Sequence, residues 1–223
     1  MSPLLLLIAL LLACADWLAV ARGWTRLGYF TKPAVMVALL AWLGQAGGLS
    51  GQLIWFAAGL LLSMLGDIFL MLPREQFIAG LIAFLLAHLA YLAGFNAGLP
   101  PMELTGLVLA LLVGLTAAQI YRRILAGLKA SGKLSYKYPI LIYSTVISLM
   151  LLSALLTLVR PEWRATPALL ASAGALLFFL SDTFLAWNKF VAPLPAGRLR
   201  VRVTYHLGQA LILLGAVLHF LKA

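Results

Sequence analysis

Two aspartates lie deep inside apolar stretches and are the residues of this sequence best suited to chemistry. Asp67 lies in the stretch SMLGDIFL and Asp182 in FFLSDTFL. An ionisable group inside a membrane helix is costly and by default marks a functional site. Two carboxyls in one low-dielectric pocket tend to divide into a protonated donor and an ionised acceptor. Because that division suits acid-catalysed hydrolysis, we take Asp67 and Asp182 as candidate catalytic residues.

The elements that carry these acids are long apolar segments. The chain has 223 residues, of which 64% are hydrophobic and 10% charged, and its mean hydropathy is +1.07. Apolar runs of membrane-crossing length recur from end to end, so the sequence predicts an all-α polytopic membrane protein. We expect a single integral membrane domain over 1–223 with eight transmembrane helices, at about 3–21, 31–46, 53–72, 76–97, 101–121, 138–159, 166–187 and 203–221.

Basic residues are divided unequally between the two sides that eight spans define. The side with the connections after spans one, three, five and seven carries thirteen Lys and Arg residues, and the other side carries three. Cytoplasmic loops are enriched in Lys and Arg, so the odd connections are predicted to be cytoplasmic and both termini outside. The net charge of +10 is therefore mainly a topology signal and does not indicate a nucleic-acid partner.

The two halves of the chain share a pattern that favours two parallel four-helix repeats. A glycine precedes each candidate acid by eight positions, and Phe-Leu follows each acid at the same offset. Other similar features stand at matching places in the halves: Lys32-Pro33 and Lys137-Tyr138-Pro139, then His88 with Tyr91 and Tyr205 with His206. Parallel repeats of this kind are known in membrane proteins.

The remaining intramembrane polar residues form a layer in the predicted cytoplasmic half. The helical rise places most of them on the order of 6–10 Å below the boundary, with His88 and Tyr91 deeper. Such layering predicts one pocket that opens towards the cytoplasm. The candidate substrate-binding residues are Asp16, Lys32, Ser63, His88, Tyr91, Tyr143 and His206.

Each of these residues also has a structural explanation. An isolated Asp can hold a bundle together by bonding a neighbouring helix, Lys32 can snorkel from the membrane boundary, and His88 can hydrogen-bond across helices. Asp16 is either an ion-pair partner for Lys32 or a polar group of the site. Three histidines without paired spacing give no metal-site pattern, and we expect neither a metal nor a cofactor.

The order and spacing of several motifs resemble the YhhN family, the membrane lysoplasmalogenases. They are Lys32-Pro33, Ser63-x-x-Gly66-Asp67, Gly80-Leu81-x-x-Phe84-x-x-x-His88-x-x-Tyr91, and Gly174 through Ser181-Asp182. The resemblance runs through most of the chain. It implies hydrolysis of the vinyl ether bond of lysoplasmalogen, or a related lysolipid, to a fatty aldehyde and a glycerophospho-alcohol.

The implied reaction agrees with the paired acids. Vinyl ether hydrolysis needs a protonated carboxyl to protonate carbon and a carboxylate to stabilise the cation and activate water, a division that glycosidases also use. We therefore expect an inner-membrane hydrolase that takes a single-chain lipid into a cytoplasm-facing pocket. The alternative is a small proton-coupled transporter that uses Asp67 and Asp182 as proton or substrate sites. A purely structural membrane protein would leave the paired acids unexplained.

Overall fold

Eight helices make up the molecule in a computed structural model that describes residues 3–74, 76–98 and 103–221. All eight described helices are long and apolar enough to cross a membrane. The predicted class, an all-α polytopic membrane protein, is confirmed. The helices are α1 (Leu4–Ala21), α2 (Thr25–Gln45), α3 (Leu53–Met71), α4 (Phe77–Phe95), α5 (Leu104–Ala130), α6 (Lys137–Leu156), α7 (Ala165–Phe190) and α8 (Gly197–Phe220).

Three helices extend at least six residues beyond the predicted spans, and all three extensions lie at what we call the basic end, where α1, α3, α5 and α7 end. Helix α2 begins at Thr25 rather than at 31, α5 continues to Ala130 rather than 121, and α8 begins at Gly197 rather than 203. Hydropathy marks only the apolar part of a helix, and these extensions carry Arg and Lys. Pro33 consequently lies inside α2 and not in its first turn.

Two connections at the basic end depend on glycine. Gly23 follows α1 with φ +71°, and Gly132 follows α5 with φ +68°. In both turns the next residue returns a hydrogen bond into the helix: Trp24 N–H donates to Ala19 O at 2.8 Å, and Lys133 N–H donates to Leu128 O at 2.9 Å. This is the Schellman ending, which needs a left-handed residue at the glycine position. After α1 it allows the chain to reverse directly into α2.

Sequential helices pack in pairs, α1 with α2, α3 with α4, α5 with α6 and α7 with α8. Close approach of α7 and α8 requires small residues, because a Cβ on Gly174 would lie 2.5 Å from the Ile212 nitrogen. Across the halves, α2 contacts α8 and α4 contacts α6. In a four-helix repeat α2 corresponds to α6 and α8 corresponds to α4, so each of these two contacts is the counterpart of the other. The repeat itself stays a prediction.

Helix α5 lies at the periphery of the bundle, and its contacts with other membrane-length helices in the described chain are with α6 and α7. Only Ile124 and Leu128, near its C-terminal end, are buried. At that end the α5 backbone meets α7 so closely that a Cβ on Gly127 would clash with the Phe190 carbonyl oxygen. The rest of α5 covers an internal space between the helices.

Candidate active site

That space is a cavity lined by residues of seven helices, α2 to α8. Both candidate catalytic residues, Asp67 and Asp182, line it. The other polar or phenolic residues of the lining are Lys32, Tyr143, Ser144, Ser148, Ser181, Thr183 and Tyr205. Apolar residues supply the larger part of the wall, among them Leu70, Leu81, Phe84, Ala117, Ile120, Ile124, Ile140, Ile147, Phe179 and Phe190.

Asp67 is held by a buried cation. Its carboxyl, which is 0% exposed, forms an ion pair with the Lys32 ammonium from α2. The Lys32 nitrogen also lies 5.0 Å from the ring centroid of Tyr205, whose phenol interacts with the same carboxyl from α8. Burial disfavours each charge, and close pairing is what offsets the loss of solvation. Lys32 lies about two turns inside α2, so it is buried in the bundle and is not a boundary residue.

Asp182 is held by a phenol and an imidazole. The Tyr143 hydroxyl, from α6, donates to the Asp182 Oδ2. The Nε2 of His88, from α4, lies 2.9 Å from the Tyr143 oxygen and 3.3 Å from Asp182 Oδ2. Because the Tyr143 proton is directed to Asp182, the His88 Nε2 carries the proton that Tyr143 accepts. His88 also packs on the Phe178 ring, with centroids 4.7 Å apart.

The two carboxyl groups belong to one electrostatic environment, since the Tyr143 phenol interacts with Asp182 and also with Asp67. Their partners come from equivalent helices of the predicted halves. Asp67 is contacted from α2 and α8, and Asp182 from α6 and α4. The chemistry of the partners differs: a lysine and a phenol on one side, a phenol and an imidazole on the other.

Asp16 forms its ion pair with Arg202 of α8 and not with Lys32. The Arg202 Nη1 lies 2.8 and 2.9 Å from the two Asp16 oxygens, and the Thr31 hydroxyl donates to Oδ1 at 2.7 Å. Of the two alternatives for Asp16, the ion pair with Lys32 is therefore wrong, and a role of Asp16 in the site stays a prediction. The cause is the early start of α8, which puts Arg202 on a helix facing α1 where the sequence suggested a loop.

Five predicted substrate-binding residues lie outside the cavity lining: Asp16, Ser63, His88, Tyr91 and His206. His206 is buried and accepts a hydrogen bond from Trp17 Nε1 at 3.2 Å. Tyr91 is buried and donates to Gln209 Oε1 at 2.5 Å, and Ser63 lies beside the Tyr91 phenol. Their roles in binding stay predictions. Among the described residues, no group of three or more His, Cys, Asp or Glu lies together in a way that could hold a metal ion.

Three residues that contact or adjoin the acids have no role predicted from the sequence. Tyr205 stands there as a neighbour of His206, Arg202 falls in the connection predicted before the eighth span, and Gln209 has no predicted role. A polar residue one helical turn from another polar residue is the signal that was available for Gln209, which follows Tyr205 at i+4 on α8. Each of the three lies on α8, the helix whose start was placed too late.

A separate buried polar cluster lies at the other end of the bundle. Arg160 donates to the Phe95 carbonyl at 2.7 Å and to Asn96 Oδ1 at 2.6 Å, and Asn96 donates to Ser153 at 2.9 Å. Burial lowers the pKa of the Arg160 guanidinium, and the Glu162 carboxylate opposes that shift. The cluster satisfies carbonyl groups at the C-terminal end of α4, which is a structural task.

Eight membrane-length helices, seven of which line a cavity with one fully buried carboxyl group and one that is 16% exposed, define a multi-pass membrane protein with an internal polar site. The chain belongs to the YhhN family, whose model matches residues 27–216. It is 37% identical to human lysoplasmalogenase TMEM86A over 163 residues, which cover 71% of this chain and 63% of that protein.

In two further relatives the matched residues cover a larger share of the relative's own length. Pig lysoplasmalogenase TMEM86B is 39% identical over 177 residues, which cover 79% of this chain and 68% of that protein. The Escherichia coli O157:H7 protein named uncharacterized membrane protein YhhN is 32% identical over 172 residues, 74% of this chain and 77% of that protein. The chain spans less than two thirds of the length of the human and bovine TMEM86A relatives. No solved structure matches it significantly.

Proposed function

We propose that this protein is a membrane hydrolase that cleaves the vinyl ether bond of lysoplasmalogen or a related lysolipid. The products are a fatty aldehyde and a glycerophospho-alcohol. The names of the relatives support the reaction class. The observation that carries the proposal is the pair of carboxyl groups that line one cavity with opposite partners, Lys32 beside Asp67 and Tyr143 with His88 beside Asp182.

Asp182 is the proton donor in this scheme. Its partners, a phenol and an imidazole, carry exchangeable protons, and the lysine of the site belongs to Asp67. Asp182 gives its proton to the vinyl carbon that does not bear oxygen, and the carbon–carbon π electrons form the new C–H bond. The other vinyl carbon and the ether oxygen then share the positive charge as an oxocarbenium ion. Tyr143 and His88 orient the Asp182 carboxyl and relay a proton back to it.

Asp67 is the carboxylate. The Lys32 ammonium favours its ionised form, and the negative charge stabilises the nearby oxocarbenium ion. Asp67 then takes a proton from the water that adds to the cationic carbon, which leaves a neutral hemiacetal. The hemiacetal then breaks the bond between its former vinyl carbon and the ether oxygen, its hydroxyl proton passes to that oxygen, and the aldehyde and the alcohol are released. The proton that Asp67 accepted offsets the one that Asp182 supplied.

The rest of the cavity suits a single hydrocarbon chain. Isoleucine and phenylalanine side chains dominate the wall away from the acids, including Ile120, Ile140 and Phe179. The phosphate then lies towards the basic end, where Lys and Arg concentrate. By the positive-inside rule that end faces the cytoplasm of an inner membrane, with both termini outside.

A small proton-coupled transporter is the alternative, because two buried acids also suit proton binding. Transport needs a polar path through the other half of the bundle as well. Buried polar side chains described there, among them Arg160, Asn96 and Ser153, bond to one another and to the end of α4. That arrangement favours a closed end and hence the hydrolase.

The test is aldehyde release from a purified 1-alkenyl lysolipid by the purified protein. We expect Asp67→Asn and Asp182→Asn each to lower kcat by roughly 10²–10⁴-fold, the range of acid–base contributions. Glu103→Gln, at the exposed start of α5, is the matched acid-to-amide control and should retain wild-type activity. Full activity in both aspartate variants would eliminate the two-carboxyl scheme. Absence of aldehyde release together with lipid or proton flux in vesicles would favour the transporter.

A further inference from the structure

A buried polar group adjoins Asp67 without forming part of the cavity lining. It consists of Ser63 on α3, Tyr91 on α4 and Gln209 on α8, each 0% exposed. Ser63 precedes Asp67 by one helical turn, and Gln209 follows Tyr205 by one turn, so each lies on the face of its helix that carries a residue of the site. The group therefore extends the polar environment of Asp67 into the bundle.

Two atoms of this group lack hydrogen bonds. Tyr91 donates to Gln209 Oε1, which leaves the amide Nε2 of Gln209 free to donate. Nε2 of Gln209 and Oγ of Ser63 lie beside the phenols of Tyr205 and Tyr91, but neither has hydrogen-bond geometry to any residue that the structure describes. The Asp67 oxygens face the Lys32 ammonium and the Tyr205 phenol, and apart from the Lys32 ion pair they have no hydrogen bond of good geometry with those residues either.

Buried donors and acceptors without partners are rare in folded proteins and call for an explanation. A ligand that satisfies this set must accept a hydrogen bond from an amide and donate one to a carboxylate and a hydroxyl. Water has this combination of donors and acceptors, and buried waters typically make two to four bonds to such groups. A larger ligand would belong in the cavity, where neither Ser63 nor Gln209 lies.

We propose that Ser63, Gln209 and Asp67 bind the water molecule that hydrolysis consumes. This inference rests on the proposed function. The Gln209 amide donates to the water oxygen, and Asp67 and Ser63 accept its protons, so the oxygen is held next to the base that deprotonates it. In the reaction the water oxygen forms a bond to the oxocarbenium carbon, and its proton passes to Asp67. Ser63 and Gln209 are thus positioning residues that act through water.

A bound water has a specific advantage here, because the substrate carries a competing nucleophile. A lysolipid has a free hydroxyl next to its ether-bearing carbon, and that hydroxyl can add to the oxocarbenium ion to form a cyclic acetal. Capture by water gives the aldehyde and alcohol, whereas capture by the hydroxyl only isomerises the substrate. The ratio of the two products therefore reports how well the protein presents water, independently of how fast it protonates the substrate.

The experiment measures this ratio for the wild type, Ser63→Ala and Gln209→Met by proton NMR, which separates the vinyl ether, cyclic acetal and aldehyde. We expect the wild type to form aldehyde almost alone. Each variant should lose roughly tenfold in kcat, equivalent to about 1.4 kcal/mol. Each should also raise the cyclic acetal share at least about fivefold, since one hydrogen bond to water is lost. Ser172→Ala, a buried serine that donates to the Ala154 carbonyl on another helix pair, is the matched control.

The outcomes separate the two proposals. Consumption of the vinyl ether by the wild type tests the proposed function, and the product ratio tests the water site. A slower reaction with an unchanged ratio in both variants would overturn the water site and leave the function intact. No vinyl ether consumption by the wild type would overturn both. A variant that fails to fold is replaced by Ser63→Cys, which keeps the size of the side chain but weakens its hydrogen bond, with the same shift in ratio expected.

Discussion

The buried ion pair between Lys32 and Asp67 provides a sharp test of how this site is held. The Asp67 carboxyl is 0% exposed and the Lys32 side chain 8% exposed, so neither charge is screened by water. Removing one member of a buried pair leaves an uncompensated charge and costs about 3–5 kcal/mol. The nearby Asp16–Arg202 pair is neutral as a unit and does not compensate either loss.

We expect Lys32→Met and Asp67→Asn each to lower the free energy of unfolding by about 3–5 kcal/mol. The double variant restores neutrality, so its loss should be no larger than that of one single variant. The sum of the two single losses then exceeds the double loss by about 3 kcal/mol or more, far above the roughly 0.5 kcal/mol error of additivity at independent sites. The double variant should therefore be more stable than the sum of the two single losses predicts. It should not regain aldehyde release, because the Asp67 carboxylate is gone.

The measurement is reversible unfolding in mixed micelles, followed by tryptophan fluorescence, with aldehyde release assayed on the same samples. Lys133→Met, at an exposed position after α5, removes a lysine without a buried partner and should change stability by less than about 0.5 kcal/mol. Additive losses in the double variant would refute the pair as a stabilising unit. Single losses below about 1 kcal/mol would show that water reaches these charges.

Three further predictions concern the other acid and the cavity wall. Tyr143→Phe removes the hydroxyl between His88 and Asp182 and should lower kcat by roughly 10–100-fold with little change in KM, measured as aldehyde release. Gly127→Ala pushes α5 away from α7 and should cost about 1–3 kcal/mol in unfolding, whereas Gly114→Ala, with open space, should be neutral or stabilising. Ala117→Trp fills the apolar wall and should shift chain-length preference to shorter lysolipids, without loss of folding.

Composition and spacing predicted the helices because a bilayer leaves few options for a chain with this hydropathy. Eight spans were expected, and the structure describes eight helices at the corresponding places. The two aspartates singled out by their cost in an apolar helix line one cavity. In both cases the energetic penalty is local, so it can be recognised from a stretch of sequence without knowledge of the packing.

The ion-pair partners of the acids were not predictable from the sequence, because pairing is not a local property. Whether Lys32 pairs with Asp16 or with Asp67 depends on the rotation of α2 and on where α8 begins, and both follow from packing across the whole bundle. The early start of α8 brings Arg202 to Asp16 and thereby leaves Lys32 for Asp67. One misplaced helix end was therefore enough to exchange the partners of two buried acids.

The different partners of the two acids explain how similar stretches can perform opposite steps. Asp67 and Asp182 stand in matching sequence contexts. Asp67 is contacted from α2 and α8, and Asp182 from α6 and α4. With identical partners they would compete for one proton, and neither would have a fixed role. A lysine beside Asp67 and a phenol with an imidazole beside Asp182 break that equivalence. The division into base and acid then depends on Lys32, Tyr143 and His88, so changing those three should alter the chemistry while leaving both carboxyl groups in place.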